Sequence, residues 1–419
     1  MREEVTIEKL VHGGQGLGTL SDGRKVFVWN ALPGETVGIR IIKQKKSYVE
    51  AIAEEILEAS PERLEPEETN YLSTSPWQIM SYEAENRAKR DIVAELFQRE
   101  HVALPDFEIK YPEQTWHYRN KMEYSFWGDD DGLHLALHQR GSHGKQIVQG
   151  SKLALPAIDT AAGAICAQLN KLGTRAGDLK TIIIRCNQAG EAAASLFVKR
   201  EQFTRLELPK ELKGLRVYFS NPKSPASVPT KLLYEAGDCI LQDNLLDKSF
   251  VYDVDSFFQV NIPIFEQALQ AIKQHVDEPE VVDMYAGVGS IGLSIAANKV
   301  DLIELDPATA RMAAHNAHQS TESAVAQVIE TSSERALEYI SGDKPVIFDP
   351  PRAGLHDKVT ARVLDVLPPK VVYLSCNPAT HARDLGRLQS SYDITFFETY
   401  NFFPRTPHIE TLAVLTKRP

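Results

Sequence analysis

The sequence predicts an α/β protein in three parts: a C-terminal doubly wound, Rossmann-like domain, an N-terminal small OB-like β-barrel and a β-rich central domain. Three observations predict it. From about residue 262 short apolar runs alternate with helical stretches, the rhythm of a parallel sheet covered on both faces. The first ~60 residues hold a run of five short strands, which suggests a small closed barrel. Between these segments the apolar runs read as strands, with one helix near 157–172. The boundaries fall at 1–57, 58–254 and 255–419.

Composition agrees. A chain of 419 residues has room for two or three folded units, and 43% hydrophobic with 25% charged residues excludes intrinsic disorder. A net charge of −11 argues against a protein that coats nucleic acid without specificity. No apolar run reaches the ~18 residues needed to span a bilayer, and Met1-Arg-Glu-Glu-Val-Thr-Ile is unlike a signal peptide, so a cytoplasmic location without a membrane partner is expected. The four cysteines lack CxxC spacing, so neither a disulfide framework nor a metal site is expected.

The barrel begins with Val5-Thr-Ile-Glu-Lys-Leu-Val, turns through Gly13, Gly14, Gly16 and Gly18, and continues in strands near 24–29, 36–43 and 48–53. Arg40-Ile-Ile-Lys-Gln-Lys-Lys46, with Phe27, Trp29 and Tyr48, would suit a nucleic-acid groove or simply a solvated face. Pro61 and Pro66 mark a linker. Ala88, Ile92, Val93, Leu96 and Phe97 recur at helical spacing and predict a helix over 82–101. Central strands are expected near 122–127, 133–138, 181–186, 193–199, 216–220 and 249–254. In the last part helices are expected at 262–276, 290–298, 307–319, 357–367 and 379–389. They alternate with strands at 281–285, 300–304, 346–349 and 371–375, and a hairpin of 393–399 with 411–416 closes the chain.

In such a sheet ligands sit at the carboxyl ends of the strands, and there the residues turn polar. Asp283-Met-Tyr-Ala-Gly287-Val-Gly289-Ser290-Ile-Gly292 follows one strand and opens a helix, so Gly287 and Gly289 let the backbone bend sharply and approach a ligand. Glu304, seventeen residues after Gly287, ends the next strand, where a carboxylate can accept from both ribose hydroxyls. A nucleotide-like cofactor is expected, either a dinucleotide or S-adenosylmethionine. Asp349-Pro-Pro-Arg352 ends another strand in a stiff loop that presents its carboxylate. Cys376 precedes Asn377-Pro378, an N-cap and first helical position, and the positive helix end is expected to lower the thiol pKa from ~8.5 into the range ~3.5–7.5. Cys166, Cys186 and Cys239 read as small buried apolar residues. His408 and Glu410, just before the final strand, are candidate proton acceptors.

Asp349-Pro-Pro-Arg-Ala-Gly, Ser375-Cys-Asn-Pro-Ala-Thr and Phe403-Pro-Arg-Thr-Pro-His-Ile-Glu together resemble the RNA uracil-5-methyltransferase family, whose catalytic domain is of the class I S-adenosylmethionine-dependent type. Phe257-Phe-Gln-Val-Asn261 is similar to the opening of that domain, and residues 1–57 resemble the TRAM barrel many members carry. The resemblance implies S-adenosylmethionine as donor, Cys376 as nucleophile, Glu410 as base and cofactor contacts at Gln259, Tyr285, Glu304 and Asp349. Asp283, Gly287, Gly289 and Ser290 of the glycine loop, with Ser332, complete the candidate cofactor set. RNA is the implied partner: 23S ribosomal RNA by analogy with TRAM-bearing relatives, with transfer RNA as the alternative.

The sequence also departs from the family. Many members hold an iron–sulfur cluster on four cysteines, three of them between the barrel and the first long helix; here residues 69–82 contain none, so no cluster is expected. Ala286 stands where a cysteine is usual. Tyr118-Arg-Asn-Lys121 is similar to a family segment that reads as an RNA-contacting strand. Three other readings compete, one of them a dehydrogenase that would share the glycine fingerprint but for which no hydride-site residues are evident. An exocyclic-amine methyltransferase would also use Asp-Pro-Pro, but Arg352 follows the prolines where an aromatic residue would stack on the base. A non-catalytic RNA-binding assembly protein would not need intact Cys376 and Glu410.

Overall fold

A computed structural model describes residues 3–142, 144–296, 298–319 and 325–419. Met1 and Arg2 of the expected barrel, and Ala297 of the expected helix 290–298, lie outside the described residues. By its internal contacts the chain divides into two units, Met1–Ile92 with Gln114–Cys239 and Phe403–Pro407, and Val93–Glu113 with Ile240–Phe402 and His408–Pro419.

The first unit opens with strands β1 (Glu3–Leu10), β2 (Gly16–Thr19), β3 (Lys25–Trp29), β4 (Thr36–Gln44) and β5 (Tyr48–Glu58). They close a barrel in the order β1-β2-β3-β5-β4. Alternation along each strand buries Val5, Ile7, Val26, Val28, Val37 and Ile39. The expected glycine turn is only half a turn. Gly13 and Gly14 bend with φ of 96° and 97°, but Gly16 and Gly18 belong to β2. A Cβ on Gly16 would meet Ile7 Cγ2 at 2.7 Å, and one on Gly18 would meet Val5 Cγ1 at 2.5 Å, so these glycines make room for the barrel core.

Helices α1 (Tyr71–Thr74) and α2 (Tyr82–Arg99) and the short strand β6 (Ile109–Lys110) follow. The helix α2 ends at Arg99, short of the expected residue 101, because His101 turns left-handed at φ 56°. Strands β7 (Lys121–Asp129), β8 (Gly132–His138), β9 (Lys145–Ile147), β10 (Leu179–Cys186), β11 (Ala192–Val198), β12 (Gly214–Phe219) and β13 (Lys231–Gly237) build a sheet in the order β13-β12-β11-β10-β7-β8-β9. The helix α3 (Pro156–Lys171) packs Ile158, Ile165 and Leu169 into the same core as Tyr124, Ile182 and Leu196. The two edge strands escape a reading by periodicity, since none of the side chains of β9 or β13 is fully buried.

In the second unit a hairpin, β14 (Ile240–Leu245) with β15 (Lys248–Asp253), precedes α4 (Ile262–His275). The strands are β16 (Glu280–Met284), β17 (Lys299–Glu304), β18 (Val325–Glu330), β19 (Val346–Phe348), β20 (Lys370–Ser375), β21 (Tyr392–Tyr400) and β22 (Glu410–Lys417). Between them lie α5 (Gly292–Ile295), α6 (Pro307–Gln319), α7 (Asp357–Val366) and α8 (Pro378–Leu388). The sheet order is β18-β17-β16-β19-β20-β22-β21-β6, with β16 to β20 mutually parallel and β22 antiparallel to β20. Val371, Val372, Tyr373 and Leu374 are all buried, as a strand covered on both faces requires. The helix expected over 290–298 is a single turn, α5, because the backbone already extends at Ala296. No helix among the described residues is long and apolar enough to cross a membrane.

Candidate active site

The glycine loop leaves β16 through three left-handed residues in five: Tyr285 at φ 73°, Gly287 at 57° and Gly289 at 85°. A Cβ on Gly289 would meet Leu293 Cδ1 at 2.8 Å, whereas one on Gly287 would meet nothing within 4 Å, so Gly287 is needed for its dihedral and not for space. Tyr285 has no such freedom, and a left-handed non-glycine residue costs ~1–3 kcal/mol. It is held there by its N–H to Ile303 O at 3.1 Å and by the Ser333 hydroxyl, which donates to its phenol oxygen at 2.8 Å. The carboxylate of Glu304 ties the loop to β17. Its Oε2 accepts from Gly287 N at 2.9 Å and its Oε1 from Asp306 N at 2.7 Å. Asp283 is fully buried; its Oδ2 accepts from Gly292 N at 2.7 Å, and burial pushes its carboxyl up to about 8.

A cavity of about 550 Å³ opens beside this loop, lined by Tyr285, Glu304, Leu305, Ser332, Pro351 and His356 among others. Three of the nine expected cofactor residues, Tyr285, Glu304 and Ser332, line it. Gly287 and Ser290 are partly exposed in the loop above it, and Gly289 is buried there.

The second cluster lies on β19, β20 and β22. Antiparallel pairing sets Ser375 opposite Thr411, so Cys376, one residue beyond, comes beside Glu410, one residue before. Cys376 is half-buried and Glu410 is buried, while His408, the other candidate acceptor, is exposed. The Asp349 charge reaches both, and Gln259 Nε2 donates to Asp349 Oδ2 at 3.5 Å. Asn377 caps α8 as expected, its side chain accepting from Ala379 N at 3.2 Å ahead of Pro378. Asn377 also donates to the Arg352 carbonyl at 2.8 Å, which joins the Asp-Pro-Pro loop to the helix carrying the thiol's neighbour.

A family model described as tRNA (uracil-5-)-methyltransferase matches residues 81–418, and a TRAM domain model matches residues 2–53. The chain belongs to the tRNA (uracil-5-)-methyltransferase family. Its relatives include proteins named "uncharacterized RNA methyltransferase" from Enterococcus faecalis, 30% identical over 99% of this chain and 97% of that one, and from Thermotoga maritima, 28% identical over 100% and 99%. A solved Pyrococcus abyssi tRNA (uracil-54, C5)-methyltransferase in complex with S-adenosyl-L-homocysteine is similar in fold, with a TM-score of 0.78 at 21% identity, covering 98% of this chain and all of that one. The protein is thus an RNA (uracil-5-)-methyltransferase: a TRAM barrel and a class I methyltransferase fold in one chain, acting on RNA.

In this methyltransferase one expectation fails. The Cys376 thiol is not lowered by the helix end; it is pushed up to about 12, first by burial and then by the Glu410 and Asp349 charges, with Arg352 pulling the other way. Glu410 is itself raised well above the usual carboxylate range by burial and by Asp349, and Asp349 is raised to about 7 by burial. Each of these shifts keeps a proton in the cluster.

Sequence reasoning gave no role in the site to three residues here. Arg352 supplies the cation felt by both Cys376 and Glu410, and its only signal was its place after the prolines. Leu305, 67% exposed, offers the cavity an apolar surface directly after Glu304. Asp384 is fully buried; its Oδ2 accepts from Leu355 N and the Tyr373 hydroxyl, both at 2.9 Å, and so fixes the far end of the Asp-Pro-Pro loop. Among the described residues no group of three His, Cys, Asp or Glu side chains converges as metal ligands.

Proposed function

We propose that this family member methylates carbon 5 of one uridine in 23S ribosomal RNA through a covalent bond between Cys376 and carbon 6 of the base. The observation that carries the reading is the register of β20 and β22, which sets Ser375 opposite Thr411 and so brings Cys376 beside Glu410, with the Asp349 charge reaching both. S-adenosylmethionine, bound along the glycine loop by Tyr285, Glu304 and Ser332 with Gln259 and Asp349 toward the thiol, would supply an electrophilic methyl group and a positive charge. The partly exposed loop backbone and the apolar face of Leu305 fit an adenosine.

Carbon 5 of uracil is too weak a nucleophile to react unaided. The Cys376 thiol gives its proton to water and its sulfur bonds to carbon 6; the electron pair of the 5,6 double bond makes carbon 5 an enolate carbon, which would take the methyl group as the sulfonium carbon–sulfur bond breaks and S-adenosylhomocysteine leaves. Glu410, in its ionised form, then removes the carbon 5 proton, the 5,6 double bond reforms, and the Cys376–carbon 6 bond breaks to return the thiolate. A base held in a dry pocket binds that proton tightly, which agrees with its raised pKa. Arg352 is the protein cation that favours ionisation of both groups. The uracil must leave its stack to reach the thiol, which costs a few kcal/mol and favours a loop or a distorted helix as target.

The division of labour proposed is RNA binding by the barrel of residues 1–57, RNA recognition by 58–254 and catalysis by 255–419, in the cytoplasm. Mapping 5-methyluridine in ribosomal and transfer RNA from cells with and without the gene tests the target. Loss of one modification from large-subunit ribosomal RNA is expected. Loss from transfer RNA alone would reassign the substrate, and no loss from either would reject the reaction.

A further inference from the structure

We infer that the loop Phe403–Pro407 is a clamped arm, and that its anchors, the buried pair Glu85–Lys89 and the hydroxyl of Tyr118, are positioning residues for Glu410. The inference rests on the reading of Glu410 as the base.

The loop's backbone is taken up residue by residue within the first unit. Lys89 Nζ donates to Phe403 O at 3.1 Å, and Tyr118 Oη donates to Pro404 O at 3.0 Å. Both oxygens of Glu85 accept from Arg405 N, at 3.0 and 2.9 Å, and Arg405 O accepts from Trp77 N at 3.1 Å. The Arg405 side chain donates to Met80 O at 3.1 Å and lies over the Tyr82 ring at 5.4 Å. Arg405 is left-handed at φ 65°, a conformation that a non-glycine residue keeps only where its surroundings over-determine it.

Glu85 and Lys89 stand one turn apart on α2, 2.9 Å from each other, with both side chains fully buried. A buried ion pair is a poor device for stability, since desolvation offsets its attraction. This pair does something an apolar pair could not: its acceptor and its donor seize an N–H and a C=O two residues apart in one loop. Tyr118 belongs to the Tyr118-Arg-Asn-Lys121 segment that the sequence suggested would touch RNA. Its ring is buried and its hydroxyl is spent on the loop.

What the arm carries is the base. Only His408 and Ile409 separate Pro407 from Glu410. Among the described residues no hydrogen bond restrains the Glu410 carboxyl itself, which leaves its position to the backbone on either side. One side is strand β22; the other is the clamped loop. Loosening the clamp is therefore expected to slow proton removal more than addition or methyl transfer, because those earlier steps need Cys376 and not Glu410.

The test uses the full-length protein in single turnovers with methyl-labelled S-adenosylmethionine and unmodified total ribosomal and transfer RNA from cells lacking the gene. Methylated RNA released is compared with methylated RNA still bound to protein on a denaturing gel. Tyr118→Phe is expected to shift that partition toward the adduct on the order of three- to tenfold, and Lys89→Met by more, with S-adenosylmethionine affinity unchanged by equilibrium dialysis. Variants that lose activity with the partition unchanged would show a merely structural role and overturn the inference. If Lys89→Met does not fold, Tyr118→Phe decides alone. Glu410→Gln, run alongside, separates the two readings: adduct build-up there with a wild-type partition in Tyr118→Phe rejects the clamp, while no build-up in Glu410→Gln rejects Glu410 as base.

Discussion

Two neighbouring stretches of one sheet edge treat their carboxylates in opposite ways. On the glycine-loop side, Glu304 has a backbone N–H on each oxygen, from Gly287 and from Asp306. On the thiol side, Asp349 has one long contact from Gln259, and Glu410 is buried beside it with its pKa raised. A carboxylate saturated by amides is fixed in its place, as binding requires. A carboxylate dried out and left short of donors holds a proton and can exchange it, as chemistry requires. The same residue type therefore does two jobs a few strands apart, and what separates the jobs is the supply of N–H groups.

The largest expected effect breaks the thiol side outright. Cys376→Ala should abolish both methylation and covalent capture of RNA, while Glu410→Gln should still add and methylate but accumulate an adduct that survives denaturing electrophoresis. Normal turnover by Glu410→Gln, or residual methylation by Cys376→Ala, would move weight to an amine-methylating mechanism. On the other side, Glu304→Gln should weaken S-adenosylmethionine binding on the order of 10- to 100-fold, as loss of charge-assisted hydrogen bonds does, and leave the iodoacetamide reactivity of Cys376 unchanged. Altered thiol reactivity there would show that the two sides are not separable.

A smaller effect sharpens the contrast. The Asp349 charge helps push the Cys376 thiol up to about 12, so Asp349→Asn should raise the thiolate fraction and speed alkylation of ligand-free protein at pH 8 by about three- to tenfold. Slower alkylation would contradict the assigned sign. The smallest effect belongs to Asp283, whose carboxyl at about 8 in the folded protein keeps a proton that the unfolded chain releases near its ordinary value of ~3.9. Stability should then fall as pH rises from about 4 to about 8, and Asp283→Asn should flatten that fall in melting temperature. An unchanged slope in the variant would mean that other groups carry the dependence.

Much of this is legible in the order of residues alone. The strands β16, β17, β19 and β20 announce themselves as apolar runs, and Asn377-Pro378 announces the start of α8, because helix caps and buried strands depend on neighbours in the chain. Gly287 and Gly289 mark the turn for the same reason. The cofactor loop, the thiol and the base are each written in a motif. The short α5, the edge strands β9 and β13, and Gly16 and Gly18 as strand residues are not, since each depends on what packs alongside it.

The electrostatics of Cys376 show where local reading stops. Its position before a helix N-terminus is written in five consecutive residues, and alone it argues for a lowered pKa. The opposing influences come from Glu410, thirty-four positions onward, and Asp349, twenty-seven positions back, and they act through burial that no single segment possesses. Charge interactions depend on distance in space and on the exclusion of water, and both arise only when β19, β20 and β22 lie side by side. The chain's order of residues thus settles which groups are present and how each begins its local fold, while the packing of distant strands settles whether those groups hold a charge or a proton.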